Sequence, residues 1–257
     1  MNYLTTQNSY QSPVGKRFWL ARKAPTPMFY RKMLLIVWQS WRLAKKNAYT
    51  GDQWVQSSLG MLKGLESVGV QFEIQNISSH QHLKTACVFV GNHMSILETF
   101  VMPCLIQPFR EVTFVVKESL INYPLFGPVL QSRDPVVVGR VNPREDLKTV
   151  LEGGQARLSK NISIILFPQT TRSVEFDSHK FNTLGVKLAK RANVPVIPVA
   201  LKSDAWGIGH RLKDFGKINP QKPVRICFGD PMHVQGSGKE EHRHIVEFIS
   251  GKLKGWR

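Results

Sequence analysis

The segment GNHMSILETF, residues 91–100, places a histidine directly after a short apolar run and a glutamate five residues further on. His93 has the chemistry of a general base. Glu98 has that of the carboxylate which fixes the base's tautomer and stabilises the imidazolium formed when it takes a proton. The same residues also have a purely structural reading. Ser95 and Glu98 form Ser-x-x-Glu, the sequence of a capping box, with Ser95 as N-cap and Glu98 at N3 turned back towards backbone N–H groups. His93 is then an ordinary loop histidine. The spacing alone supports both readings. As a base, His93 would act on a substrate hydroxyl directly, because the chain contains neither a Gly-x-Ser-x-Gly elbow nor a cysteine beside a histidine.

A second group of reactive types occupies LFPQTTRS, residues 166–173, where an apolar run gives way to a short polar turn. Arg172 in such a turn suits a bidentate contact with phosphate or carboxylate. It equally suits a turn-closing role or a pair with Glu175. Arg140, at the end of DPVVVGR, is either a second anion contact or a surface charge at a strand terminus. The other histidines carry less. His242-Arg243-His244 falls on a charged terminal helix, His80 and His82 fall in a polar loop, and metal-binding spacing is absent throughout. Cys87, Cys104 and Cys227 are odd in number and far apart, which predicts reduced core thiols.

The elements that position these groups follow from the apolar periodicity. VGVQFEIQNI, ACVFVGN, REVTFVVK, DPVVVGR, NISIILFP, VPVIPVAL and PVRICFGDP read as strands, several of them near-continuously apolar. SILETFVMPCLI, PREDLKTVLEGGQARLSK, TLGVKLAKRAN and KEEHRHIVEFISGKLKG read as helices between or after them. Buried strands alternating with helices predict an α/β domain with a mixed, largely parallel sheet flanked by helices. Sites in such sheets lie beyond the carboxyl ends of strands, where His93 and the 166–173 turn both fall. The organisation expected is a basic flexible tail over 1–27, a helical membrane-associating segment over 28–66, and the α/β domain over 67–257.

Charge sharpens the reading of the amino-terminal part. Thirty-five Lys and Arg against eighteen Asp and Glu give +17, a surplus that attracts polyanions such as nucleic acid, an anionic membrane or an acidic carrier protein. No acidic residue precedes Asp52, whereas Arg31, Lys32, Arg42 and Lys45 flank Tyr30, Met33, Leu34, Val37 and Trp41 at helical spacing. That is the pattern of an amphipathic helix lying in a membrane interface, or of a helix packed on the domain with a solvated basic face. Its apolar run is too short to span a bilayer, and no signal-peptide pattern is present. Nucleic-acid binding has only the charge in its favour, with no recognisable module.

Taken in order, four blocks resemble the glycerolipid acyltransferases of the lysophosphatidic acid acyltransferase type. GNHMSILET resembles that family's Asn-His-x-Ser-x-x-Asp, VVKESLINYPLFGPVLQSRDPVVVGR its second block, LFPQTTRS its Phe-Pro-Glu-Gly-Thr-Arg-Ser, and VPVIPVAL its fourth. The resemblance implies that His93 is the general base on an acceptor hydroxyl and that Glu98 orients it. It implies that Arg140 and the turn Gln169, Thr170, Thr171, Arg172 and Ser173 hold the acceptor phosphate, while VPVIP helps to form the acyl-chain side. The reaction implied moves a fatty acyl chain from acyl-CoA or acyl carrier protein to a lysophospholipid such as 1-acylglycerol-3-phosphate. It needs no metal or prosthetic group and takes place at the cytoplasmic face of a membrane. Glu98 stands for the block's Asp, Gln169 for a Glu, Thr170 for a Gly, and Asp134 for a Gly of the second block. Two alternatives stand beside this: a non-catalytic lipid-binding or membrane-scaffold protein on the same fold, and an acyltransferase using a different lipid acceptor.

Overall fold

Runs rich in valine, isoleucine and phenylalanine form the interior strands, because β-branched and aromatic side chains pack well on a pleated surface covered from both sides. The computed structural model describes residues 4, 8–13, 23–169, 171–209 and 212–256. Its strands are β1 (Tyr10–Gln11), β2 (Phe72–Gln75), β3 (Val88–Gly91), β4 (Val112–Lys117), β5 (Val136–Val138), β6 (Ser163–Leu166), β7 (Val196–Lys202) and β8 (Val224–Phe228). They form one sheet in the order β1-β2-β8-β7-β3-β6-β4-β5. Strands β3 to β7 run parallel to one another, so their carboxyl ends share one edge. Only the β1–β2 and β7–β8 pairings are antiparallel. The expected single α/β domain with a mixed, largely parallel sheet is what the chain forms.

Helices α1 (Pro25–Lys45), α2 (Gly51–Ser67) and α3 (Leu97–Ile106) precede the short α4 (Glu118–Ile121) and α5 (Phe126–Gln131). The longer α6 (Pro143–Leu158), α7 (Leu184–Ala192) and α8 (Lys239–Gly255) follow. Two apolar cores result, one on each face of the sheet. Successive side chains of a strand alternate between faces, so Phe89 of β3 joins the core beneath α1, α2 and α3, while Val88 and Val90 join the one beneath α6, α7 and α8. All five residues of VPVIP are buried, Val194 and Pro195 just before β7 and Val196, Ile197 and Pro198 on it. The three cysteines are free and buried.

The amino-terminal part differs from expectation in two respects. Within the tail expected over 1–27, Tyr10–Gln11 pairs with β2, and Glu66 fixes this strand by accepting from Tyr10 Oη at 2.6 Å and Ser12 Oγ at 2.5 Å. Helix α1 already begins at Pro25, with proline in its first turn, where the missing N–H costs nothing. Second, α1 and α2 do not form a segment apart from the domain. Phe29, Met33 and Val37 of α1 and Val55, Leu62 and Leu65 of α2 are buried in the same core as Phe72 and Phe89. The stripe containing Met33 and Val37 therefore faces inward. The apolar residues that α1 turns to solvent are Leu34, Leu35 and Trp38, each about half exposed.

One substitution noted in the sequence has a backbone explanation. Asp134 adopts a left-handed conformation with φ of 46°, where glycine is the usual residue and Asp is among the few others tolerated. Its carboxylate receives Arg157 Nη2 at 2.6 Å, which anchors the approach to β5.

The seating of α7 on β3 is close enough to test. A Cβ on Gly185 would lie 2.4 Å from Val90 Cγ2, so alanine there forces the helix away from the central strand. Gly185→Ala is expected to lower unfolding free energy by about 1–3 kcal/mol, the usual effect of overpacking. Urea denaturation followed by circular dichroism measures it, and an unchanged midpoint would contradict this packing.

Candidate active site

Four strand ends converge at the carboxyl edge of the sheet. Strand β3 delivers Asn92 and His93, β6 delivers Phe167 to Ser173, β7 delivers Ser203, and β5 delivers Arg140. Asn92 ties the first of these to the third. Its Nδ2 donates to the Leu201 carbonyl at 2.7 Å and its Oδ1 accepts from Leu201 N at 2.9 Å. A side-chain amide that satisfies both backbone groups of a neighbouring strand fixes the point at which the chain leaves β3.

The backbone of His93 is then held from the β6 side. Its N–H donates to Gln169 Oε1 at 2.7 Å, and its carbonyl accepts from Ser173 N at 2.9 Å. The imidazole stacks on Phe167 with centroids 4.4 Å apart and planes 4° from parallel. Gln169 is thus buried beneath His93, with its carbonyl oxygen engaged by the His93 backbone. Thr171 is exposed, and Thr170 lies outside the described residues.

Glu98 is fully buried on the first turn of α3. Its carboxylate accepts from Met94 N at 2.7 Å, from Ser95 N at 3.1 Å and from Ser203 Oγ at 2.7 Å. Ser95 Oγ in turn accepts from Leu97 N at 3.1 Å. One half of the capping box anticipated from Ser-x-x-Glu is present, the bond from Ser95 N to the Glu98 carboxylate; Ser95 Oγ takes Leu97 N instead of Glu98 N, and the helix begins at Leu97 with Ile96 as its N-cap. The same carboxylate places Oε2 3.7 Å from His93 Nδ1. That is ion-pair reach rather than a hydrogen bond, and a small closure would convert one to the other. Capping and facing the histidine are therefore two consequences of one position.

The electrostatics set the resting states. Burial, with the Arg172 and Arg140 charges adding to it, pushes the His93 pKa down to about 3. The imidazole is therefore neutral and its lone pair is available. Burial also raises the Glu98 carboxyl, while Ser203 Oγ and the Met94 and Ser95 N–H groups pull it back down. Nδ1 of His93 is buried facing Glu98, so Nε2, on the opposite edge of the ring, points away from the carboxylate. The ring is 17% exposed, which leaves room for a substrate atom to approach.

Both arginines singled out in the sequence act on His93 through their charge. Arg140 is exposed, and its backbone is left-handed with φ of 57°, a conformation steadied by the bond from its N–H to Asp146 Oδ1 at 3.1 Å. Arg172 pairs with Asp214 at 2.5 Å, not with Glu175. Sequence reasoning missed Asn92, Phe167, Ser203 and Asp214. Asn92 carries a signal, as the polar residue that closes an apolar strand and opens the Asn-His block. Ser203 directly follows VPVIPVALK in the same manner. Asp214 lies in a connection whose sequence gives no sign that it returns to the site. Among the described residues no cluster of three or more His, Cys, Asp or Glu is arranged to hold a metal.

Comparison with known proteins bears on the family and the fold. Over 188 residues, 73% of this chain, the sequence is 27% identical to the 1-acyl-sn-glycerol-3-phosphate acyltransferase of Pseudomonas aeruginosa, 68% of which is covered. Over 219 residues, 84% of the chain, it is 25% identical to the protein of the same name from Cocos nucifera, 65% of which is covered. The chain thus spans about two thirds of the length of these relatives. Its fold matches the crystal structure of the 1-acyl-sn-glycerophosphate (LPA) acyltransferase from Thermotoga maritima with a TM-score of 0.70, covering 92% of this chain and 96% of that one at 16% identity. A stretch that begins just before β2, ends with β7 and includes the His93–Glu98 segment, residues 70–202 and over half of the chain, matches the family model described as Acyltransferase, and the chain belongs to that family.

Proposed function

We propose that this acyltransferase moves a fatty acyl chain from a thioester, acyl-CoA or acyl carrier protein, to the hydroxyl of a lysophospholipid of the 1-acylglycerol-3-phosphate type. The observation that carries the reading is the neutral, partly exposed His93 ring with Nδ1 turned to the buried Glu98 carboxylate. In this mechanism Nε2 removes the proton from the acceptor hydroxyl as its oxygen attacks the thioester carbonyl. The C–S bond breaks, an ester C–O bond forms, and the departing thiolate takes the proton from His93. Glu98 holds the Nδ1–H tautomer and stabilises the transient imidazolium. The co-substrate thioester supplies the chemistry, and the reading calls for no metal or prosthetic group.

Arg140 and Arg172 fit the acceptor's phosphate, since both charges are felt at His93. Burial is the main reason that His93 is a weak base and the two arginine charges add to it, so a dianionic phosphate on the arginines offsets only that smaller part. Gln169 and Ser173 contribute by holding the His93 backbone between them.

The exposed side of α1 fits an anionic membrane surface. Leu34, Leu35 and Trp38 project from a helix that also carries Arg31, Lys32, Arg42 and Lys45, and Arg42 lies over the Trp38 ring at 4.8 Å. A shallow apolar depression lined by Pro27, Tyr30, Leu34 and Leu35 continues this surface. Among the described residues no helix is long and apolar enough to cross a membrane. The placement proposed is thus interfacial, at the cytoplasmic face, where lysolipid acceptors reside.

His93→Ala should lose roughly 10²–10⁴-fold in transfer rate, the usual contribution of general-base catalysis. The assay is product formation from acyl-CoA and 1-acylglycerol-3-phosphate, read by mass spectrometry. Full activity in the variant would remove His93 from the mechanism, and an inactive wild-type protein would favour a lipid-binding role. Replacing Leu34, Leu35 and Trp38 together with serine should sharply reduce co-flotation with phosphatidylglycerol vesicles while the melting temperature holds. Undiminished flotation would place the membrane contact elsewhere.

A further inference from the structure

The arginine assigned above to the acceptor phosphate already holds a carboxylate. Arg172 Nη2 donates to Asp214 Oδ1 at 2.5 Å, with both side chains about one-fifth to one-quarter exposed. A carboxylate oxygen on a guanidinium takes up the kind of contact that a phosphate oxygen makes, so the two ligands compete for one donor. The pairing comes from far along the chain. Asp214 lies in the connection between β7 and β8, 42 residues from Arg172, and no residue of the polar turn itself supplies this partner.

The connection that carries Asp214 is anchored at its base and at one side. Trp206 bridges to Ile218, and Gly207 N donates to the Lys217 carbonyl at 3.0 Å. Tyr30 Oη of α1 donates to the Gly216 carbonyl at 2.7 Å and accepts from Trp206 Nε1 at 3.0 Å, while the Phe215 ring leans on Tyr30 with centroids 5.6 Å apart. Between these anchors Ile208 and Leu212 are exposed. Among the described residues the Arg172–Asp214 pair ties this connection to the catalytic edge. A connection anchored in this way at Trp206, Gly207, Phe215 and Gly216 can release the Arg172–Asp214 pair without disturbing the fold.

We propose that Asp214 is a specificity-determining residue, a built-in stand-in for phosphate that an acceptor must displace from Arg172. The inference rests on the phosphate-binding reading of Arg172 and deepens it. A dianionic phosphomonoester outcompetes a single carboxylate for the guanidinium. A head group whose phosphate is a monoanionic diester does so poorly, and a neutral head group cannot. Asp214 therefore screens acceptors by charge. In the unliganded protein it also reduces the positive field that would attract unrelated anions to the site. Its removal should loosen this selection: phosphate binds more tightly, and acceptors of lower charge gain relative to phosphomonoesters.

The test compares the wild-type chain with Asp214→Asn, which keeps size and shape, and with Arg172→Ala. Inorganic phosphate titrated against each and followed by ³¹P line broadening reads binding without requiring turnover. Asp214→Asn should bind phosphate about 3- to 10-fold more tightly, in keeping with the loss of one partly exposed competing ion pair. Arg172→Ala should abolish the gain when combined with it. In transfer assays the variant's KM for 1-acylglycerol-3-phosphate should fall by a similar factor, and the change should appear in KM more than in kcat. Asp214→Glu, which restores the charge, should return both values towards wild type. Equal or weaker phosphate binding by Asp214→Asn would overturn the proposal and identify Asp214 as a clamp that positions Arg172. Phosphate binding unaffected by Arg172→Ala would instead overturn the underlying assignment of Arg172, so the two failures are distinguishable.

Discussion

The site is organised around a carboxylate with no contact to water. An isolated buried carboxylate is costly by several kcal/mol, so Glu98 is tolerable only where donors converge on it. Those donors come from three directions: the N–H groups of Met94 and Ser95 on the turn leaving β3, the Ser95 hydroxyl, and Ser203 at the end of β7. Meeting that requirement fixes the α3 start, the β3 exit and the β7 exit relative to one another. His93 lies on this turn with one edge of its ring facing the carboxylate and the other turned away from it. The catalytic reading thus follows from a demand of solvation: the groups that make Glu98 bearable are those that aim it.

The parallel arrangement makes the convergence possible. Because β3 to β7 point the same way, the turns after β3, β5, β6 and β7 all emerge at one edge, and residues separated by more than a hundred positions meet there. Gln169 and Ser173 clasp the His93 backbone from the β6 side, and Phe167 supports the ring's face. Burial lowers the basicity of His93 most, and the two arginines add to it at longer range. Positioning is local and rigid, whereas tuning is electrostatic and responsive. Separating these roles lets the same edge accept a charged acceptor without reshaping the base.

Much of this was legible before any coordinates, for identifiable reasons. The interior strands were readable because burial on both faces forces uninterrupted apolar runs, as in SIIL of β6 and VIPVAL of β7. The turn of Glu98 back onto the Ser95 N–H was readable because it depends on spacing within one turn, whereas the start of the helix falls two residues later than Ser95. What escaped was non-local. The inward direction of Met33 and Val37 could not be seen, since α1 carries apolar residues on both sides and only the rest of the core selects which is buried. The edge strand Tyr10–Gln11 is too short to show periodicity and is held by Glu66, a partner 56 residues away from Tyr10. Asp214 and Ser203 belong to the site through sheet order alone. Asp134 looked like a change in the acceptor-binding blocks, yet its positive φ and its pair with Arg157 explain it through the backbone.

The account turns on the protonation of one ring. With Glu98 facing Nδ1 and burial disfavouring the cation, His93 should rest as the neutral Nδ1–H tautomer, leaving the Nε2 lone pair for the acceptor hydroxyl. Nitrogen-15 NMR of histidine-labelled protein, with His93 assigned by its loss in His93→Gln, reads this state directly. The predicted result is a protonated Nδ1 and an unprotonated Nε2 that do not titrate between about pH 5 and 8. A proton on Nε2, or an imidazolium forming near the ordinary histidine value, would contradict the account.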